Sequence, residues 1–197
     1  MTPADPHLAL APLAAAAAAG RRDAVAPAAR AALESGCTAD EIRETLLTVA
    51  PFCGFPRALD AFAAARAVLG VAGGTRLPSS DARGAAFFDL IYGRDAAKVR
   101  ANLVALDAEV AGWIEADAYG KVLSRPGIAP SLRERIGVVL LAAQGLRVQL
   151  SGHVRGALNC GATVAEVAAF VEAAAPFIDA DELAFARETV ARATTET

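Results

Sequence analysis

The chain has 197 residues, enough for one buried core or for two small fused units. A net charge of −3, a pI near 5.4 and the absence of a lysine–arginine cluster exclude an electrostatic nucleic-acid surface. The 55% apolar content and mean hydropathy of +0.38 are high for a soluble monomer and predict buried interfaces between subunits, hence a homo-oligomer.

In chain order, the first predicted element is the alanine-rich run Leu8–Ala19. It reads as a core helix rather than a signal segment, because Met1–His7 carries Asp5 and no lysine or arginine. No stretch is suited to spanning a membrane. His7 falls in an arm expected to fray. Residues 28–52 then recur at 153–177 with a constant offset of 125 and no gap. Arg30/Arg155, Leu33/Leu158, Gly36/Gly161, Thr38/Thr163, Glu41/Glu166 and Ala50-Pro51-Phe52/Ala175-Pro176-Phe177 are identical pairs, and Gly20/Gly145 extend the register upstream. One helical unit has been duplicated. Each copy reads as helix, glycine stop, capping box and helix, with Thr38…Glu41 and Thr163…Glu166 as the boxes.

Residues 70–80 (GVAGGTRLPSS) read as a linker. The predicted organisation is a first repeat over residues 1–70, a linker over 71–82, and a second repeat with its own leading helices over 83–197. Beyond the linker, Val99, Leu103, Leu106, Val110 and Trp113 recur at helical spacing, predicting one amphipathic helix of about five turns with Trp113 in the core. Tyr119-Gly120 is the expected end of that helix. Ser131…Glu134 behind Pro130 reads as a third capping box. No segment alternates with period two for long, so the fold class is all-α.

Cys37, Cys53 and Cys160 are odd in number, widely spaced and outside any CxxC. This predicts a reducing, cytoplasmic setting without disulfides, and a small buried hydrophobe is the plainest role for each. His153 is the sharpest candidate for chemistry, with Ala28 in its place in the first copy. Gln149 is its i, i+4 neighbour on the predicted helix and is expected to orient the imidazole. Glu134 has two readings, as the carboxylate of the Ser131 box or as a partner facing His153 across a helix pair, where it would keep the imidazole ready as a proton donor. The turn Cys53-Gly54-Phe55-Pro56 exists only in the first half. It reads either as a tight bend between helices or as a pocket wall that presents the Cys53 thiol. CxxC, HExxH, GxSxG, Walker and GxGxxG patterns are absent, and one such histidine among scattered carboxylates is too little for a metal site. Neither a metal nor a cofactor is expected.

Residues 32–69, residues 119–136 (YGKVLSRPGIAPSLRERI) and residues 153–167 (HVRGALNCGATVAEV) resemble the superfamily of gamma-carboxymuconolactone decarboxylases and alkylhydroperoxidase D-like proteins. The pattern His-x3-Ala-Leu-x2-Gly-x-Thr-x2-Glu is met by His153, Ala157, Leu158, Gly161, Thr163 and Glu166. The alkylhydroperoxidase branch has E-x11-C-x2-C-x3-H. Here that spacing runs from Glu134 to His153 with Leu146 and Gln149 at the cysteine positions. A dithiol mechanism needs both thiols, so the decarboxylase branch fits better. The resemblance implies two tandem repeats in pseudo-twofold packing. It implies a cofactor-free reaction on a small carboxylated lactone-type acid, with His153 as general acid, Glu134 as its partner and Arg133 or Arg155 as carboxylate clamp. It also implies a composite site with Gln149 and the bend of Cys53, Gly54 and Pro56, and a homotrimer where shorter relatives form hexamers. A lone-cysteine peroxidase and a non-catalytic small-molecule-binding oligomer are the alternatives.

Overall fold

The alanine run folds as α1 (Leu10–Ala18), and every residue of it except Pro12 is buried. This is a computed structural model, and it describes residues 5–70 and 77–193. Small side chains let α1 approach α2 (Arg22–Glu34) and α3 (Ala39–Leu69) closely, and it also packs on α7 (Pro130–Ala142) and α9 (Val164–Ala174). All-round apolar character is what a helix enclosed on every side requires. Among the described residues no strand is present, and no helix is long and apolar enough to cross a membrane.

The sequence repeat is a repeat of local structure. α2 and α8 (Arg147–Asn159) begin and end at positions separated by the same 125-residue offset. Gly36 and Gly161, which end them, have φ of 101° and 93°, where a side chain is strained. Thr38 and Thr163 form the predicted capping boxes, each hydroxyl accepting from the amide of Glu41 or Glu166 at 3.2 Å. The copies diverge after their shared Pro-Phe. In the first, α3 kinks at Gly54 (φ 82°, ψ 162°) and runs on to Leu69. In the second, a 3₁₀ turn over Ala175–Phe177 leads to a separate helix, α10 (Ala180–Arg192).

Of the predicted linker, residues 71–76 lie outside the described residues. The segment that follows departs from the single amphipathic helix expected there. It contains α4 (Asp81–Tyr92), α5 (Ala96–Leu106), α6 (Ala108–Trp113) and a π-helical stretch from Ile114 to Leu123. Asp107 breaks the run: its backbone is extended (φ −165°, ψ 122°) and its carboxylate accepts from the amides of Glu109 and Val110, both at 2.9 Å. An aspartate N-cap here outweighs apolar periodicity. Trp113 is therefore not core but 57% exposed, and Leu106 is 84% exposed. Nor does Gly120 stop a helix. It is a crossing point, where a Cβ on Gly84 of α4 would stand 2.7 Å from the Gly120 nitrogen. His7 is not frayed either, because its ring is held by Glu41 at 3.0 Å.

The two halves are tied by buried charge. Glu44 on α3 accepts from Arg125 at 2.8 Å and from Arg133 on α7 at 3.0 Å, and Arg133 also donates to Thr48 and to the Arg125 carbonyl. Burial acts to raise the Glu44 pKa, but the hydrogen bonds and charges of the two arginines outweigh it and hold the carboxyl below its ordinary range. A depressed folded-state pKa contributes stability above the unfolded value, and that contribution is lost as pH falls through the folded value. Glu44→Gln leaves two arginines short of a counter-charge, one of them buried, and is expected to cost about 3 kcal/mol in urea unfolding at pH 7. The loss should shrink below about pH 4, where the wild type forfeits the same interaction. Equal stability of the two proteins at pH 7 would refute this account.

Candidate active site

The start of α7 decides the site. Pro130 occupies the first helical position, for which its fixed φ and missing N–H suit it, so Ala129 becomes the N-cap (φ −60°, ψ 147°). The Ser131…Glu134 capping box therefore does not form. Ser131 lies inside the helix, and Glu134 turns inward with no exposed surface. Its Oε2 accepts from Nδ1 of His153 on α8 at 2.8 Å. His153 is itself 7% exposed.

Two glycines make room for this pair. A Cβ on Gly156, one turn beyond His153, would lie 2.6 Å from Glu134 Oε2 and 2.7 Å from the Ile91 Cγ2 methyl. A Cβ on Gly137, one turn beyond Glu134, would lie 3.0 Å from the Phe52 ring and 3.7 Å from His153 Nδ1. Phe52 meets the imidazole edge-on, with centroids 5.0 Å apart and planes at 72°. The dyad is thus enclosed by α7, α8, the bend of α3 and the end of α4. Glu134 Oε1 is buried and has no hydrogen-bond partner.

Beside the pair lies an aromatic cluster from the middle segment. Phe88 packs against Tyr92 at 4.4 Å and Tyr119 at 4.8 Å, and the Tyr119 hydroxyl donates to that of Tyr92 at 3.2 Å. Burial raises the pKa of both phenols, most strongly at Tyr119, and the negative charge of Glu134 adds to the rise. The sequence reading did not single out these tyrosines. Gly152-x3-Gly156 around His153 was the available signal, since small residues one turn apart mark a helix face that a neighbour approaches closely, here α4.

The other expected contributors are placed as follows. Gln149 is exposed, and no hydrogen bond joins it to His153, so it does not orient the ring. Arg133 is 1% exposed and committed to Glu44, Thr48 and the Arg125 carbonyl, which removes it as a substrate clamp. Arg155 is exposed and, two residues along α8 from His153, lies on the opposite face of that helix. Gly54 and Pro56 lie on the surface of the bend. Cys53 is half-buried against the main core and shares no hydrogen bond with His153. The residue of the bend that meets the imidazole is Phe52. Burial raises the thiol pKa of Cys53 to about 12, only partly opposed by Arg57. Burial, with Glu134 adding, does the same at Cys160, again to about 12, and Cys37 is raised to about 11 by burial with smaller effects of Glu41 and Asp5.

These features define an all-α repeat protein built around a buried carboxylate–imidazole pair. The chain belongs to the carboxymuconolactone decarboxylase family, which matches it over residues 8–67 and 108–192. It is also similar to "Peroxisomal protein 2" of Schizosaccharomyces pombe, with 28% identity over 179 residues, covering 82% of this chain and 80% of that protein.

Two outcomes are expected from the site geometry. Gly156→Ala inserts a methyl between a carboxylate and a packed isoleucine and should destabilise the fold by about 1–3 kcal/mol, read as a lower urea midpoint. An unchanged midpoint would mean that the pair is looser than described. For Cys53, a pKa of about 12 leaves a thiolate fraction at pH 8 roughly a thousandfold below that of an ordinary thiol. Native alkylation by iodoacetamide, followed by mass spectrometry, should be slower by a similar factor, and labelling at the rate of free cysteine would contradict this.

Proposed function

We propose that the chain carries out cofactor-free proton-transfer chemistry of the decarboxylase type on a small carboxylated lactone-like acid. The single observation behind this reading is the 2.8 Å contact between Glu134 and His153, buried between α7 and α8. Loss of carbon dioxide from such an acid leaves an electron pair that spreads into a conjugated carbonyl, and a proton must then be delivered to carbon. Imidazole suits this task near neutral pH. Glu134 holds one ring nitrogen and compensates the charge that the ring carries before it gives up its proton. The thiol chemistry of a peroxidase is poorly supported, because it requires an accessible thiolate and all three cysteines are pushed toward the thiol form. Exposed Leu106, Val110 and Trp113 favour a working form assembled from several copies, a trimer or a hexamer. The free thiols suit a reducing compartment such as the cytoplasm.

The test is incubation of the protein with a panel of unsaturated carboxylated lactones in D₂O, following carbon dioxide release and deuterium at the product carbon. Turnover is expected for at least one member, falling at least a hundredfold in His153→Ala and in Glu134→Gln. Turnover that survives His153→Ala would overturn the assignment, and so would peroxide consumption that disappears in Cys53→Ser.

A further inference from the structure

The segment that carries Phe52 has an unpaired carbonyl built into its sequence. In a helix the Phe52 carbonyl would accept from the amide four residues on, but that residue is Pro56, which has no N–H. The donor comes instead from the end of α7. The half-buried Gln144 carboxamide donates to the Phe52 carbonyl at 3.3 Å and to the Leu140 carbonyl at 3.0 Å. Leu140 has a similar need, because the backbone amide four residues beyond it, that of Gln144, bonds to the Leu141 carbonyl. We propose that Gln144 is a positioning residue for the proton donor: by gripping the Phe52 carbonyl it holds the Phe52 ring against the His153 imidazole and so fixes the direction in which that ring delivers its proton. This rests on the reaction class argued above.

Three observations carry the assignment. The first is placement. Gly137 and Gln144 are seven residues apart, which puts them on one face of α7 and its last turn. The Phe52 ring lies over Gly137, where a Cβ would approach it to 3.0 Å, and the Phe52 carbonyl is held by Gln144. Ring and backbone of one residue are thus located by a single helix, the one that also carries Glu134.

The second is what the imidazole needs. Glu134 holds Nδ1 at 2.8 Å, which leaves Nε2 to deliver the proton. One hydrogen bond fixes a pivot and not the plane of a ring. The edge-on contact with Phe52, with centroids 5.0 Å apart and planes at 72°, supplies the second constraint. A misplacement of about 1 Å at a reacting group costs on the order of a hundredfold in rate, so the grip on Phe52 bears directly on proton delivery.

The third is the comparison of the two copies. At the 125-residue offset Gln144 corresponds to Ala19, and Pro56 corresponds to Asp181. α1 packs on the turn over Ala175–Phe177 as α7 packs on α3, but that turn is followed by a residue with an N–H, and the facing helix offers only a methyl. The unpaired carbonyl, the amide that satisfies it and the carboxylate–imidazole pair therefore occur together on one side and are absent together on the other.

The experiment is NMR on the full chain, which has two glutamines and two histidines, so single substitutions assign their side-chain signals. In the wild type the Gln144 carboxamide protons are expected to exchange with solvent roughly tenfold more slowly than those of exposed Gln149. Gln144→Met keeps the length of the side chain and removes the donor. It should move the carbon-bound ring proton signals of His153 toward their positions in Phe52→Leu and leave those of His7 in place. Added to Phe52→Leu, it should move the His153 signals no further, which is the non-additivity of residues that act in series. Equal exchange at the two glutamines, His153 signals unmoved by Gln144→Met, or the same displacement with and without the Phe52 ring would overturn the assignment. Turnover abolished by His153→Ala alongside His153 signals indifferent to Gln144 sinks this inference alone. Signals that follow Gln144 and Phe52, together with turnover indifferent to His153→Ala, sink the reaction class alone.

Discussion

A helix enclosed on all sides has nowhere to send a charge, and α7 carries three in succession. Arg133, Glu134 and Arg135 are 1%, 0% and 6% exposed. Consecutive helical residues point about 100° apart, so the three side chains leave in three directions and each needs a partner on a different neighbour. Arg133 reaches Glu44 and Thr48 on α3. Glu134 reaches His153 on α8. Arg135 meets Asp5 at 3.2 Å and lies over the Phe170 ring of α9 at 4.5 Å. Much of the architecture follows from that requirement, because the helices surrounding α7 are positioned to neutralise it. The resulting contacts join the first half to the second and place the imidazole.

How far the sequence disclosed this arrangement depends on the range of the signal. The repeat and its punctuation are local, and Gly36, Gly161, Thr38 and Thr163 behave as their residue types demand. The facing of Glu134 and His153 was legible as one of two readings, because a capping box and a buried partner use the same carboxylate. Pro130 decided between them by taking the first helical position. The long helix through Trp113 failed for a similar reason, as a single Asp107 cap competed with a five-residue apolar stripe and prevailed. Gln149 illustrates a different limit. Sharing a helix face with His153 places it nearby, but the exposed first turn of α8 leaves it in solvent. Arg133 was beyond reach altogether, since nothing in the linear order announces that Glu44, 89 positions earlier, would claim its guanidinium.

The aromatic cluster belongs to a class of feature that a single chain conceals. Tyr92 and Tyr119 come from α4 and the π-helical stretch, neither of which has a counterpart in the first repeat. No internal comparison draws attention to them. Their proximity to Glu134 arises only after α4 has packed on the glycine face of α8, with the crossing of Gly84 and Gly120 fixing its other side.

The two copies differ in a way that separates stability from function. At the positions of Glu134 and His153 the first copy has Ala9 and Ala28, both packed against the main core. At the positions of Gly137 and Gly156, the residues that make room for the dyad, it has Pro12 and Ala31. Pair and space are thus present together in one copy and absent together in the other. Burying a carboxylate and an imidazole is costlier than packing two methyl groups, and a helical glycine costs roughly a further 1 kcal/mol relative to alanine. The first copy shows that the repeat folds with its helices and caps intact without them. A chain under demand for stability alone gains nothing by keeping the expensive version in its second half. The coupled retention of Glu134, Gly137, His153 and Gly156 is therefore an argument for chemistry at that pair.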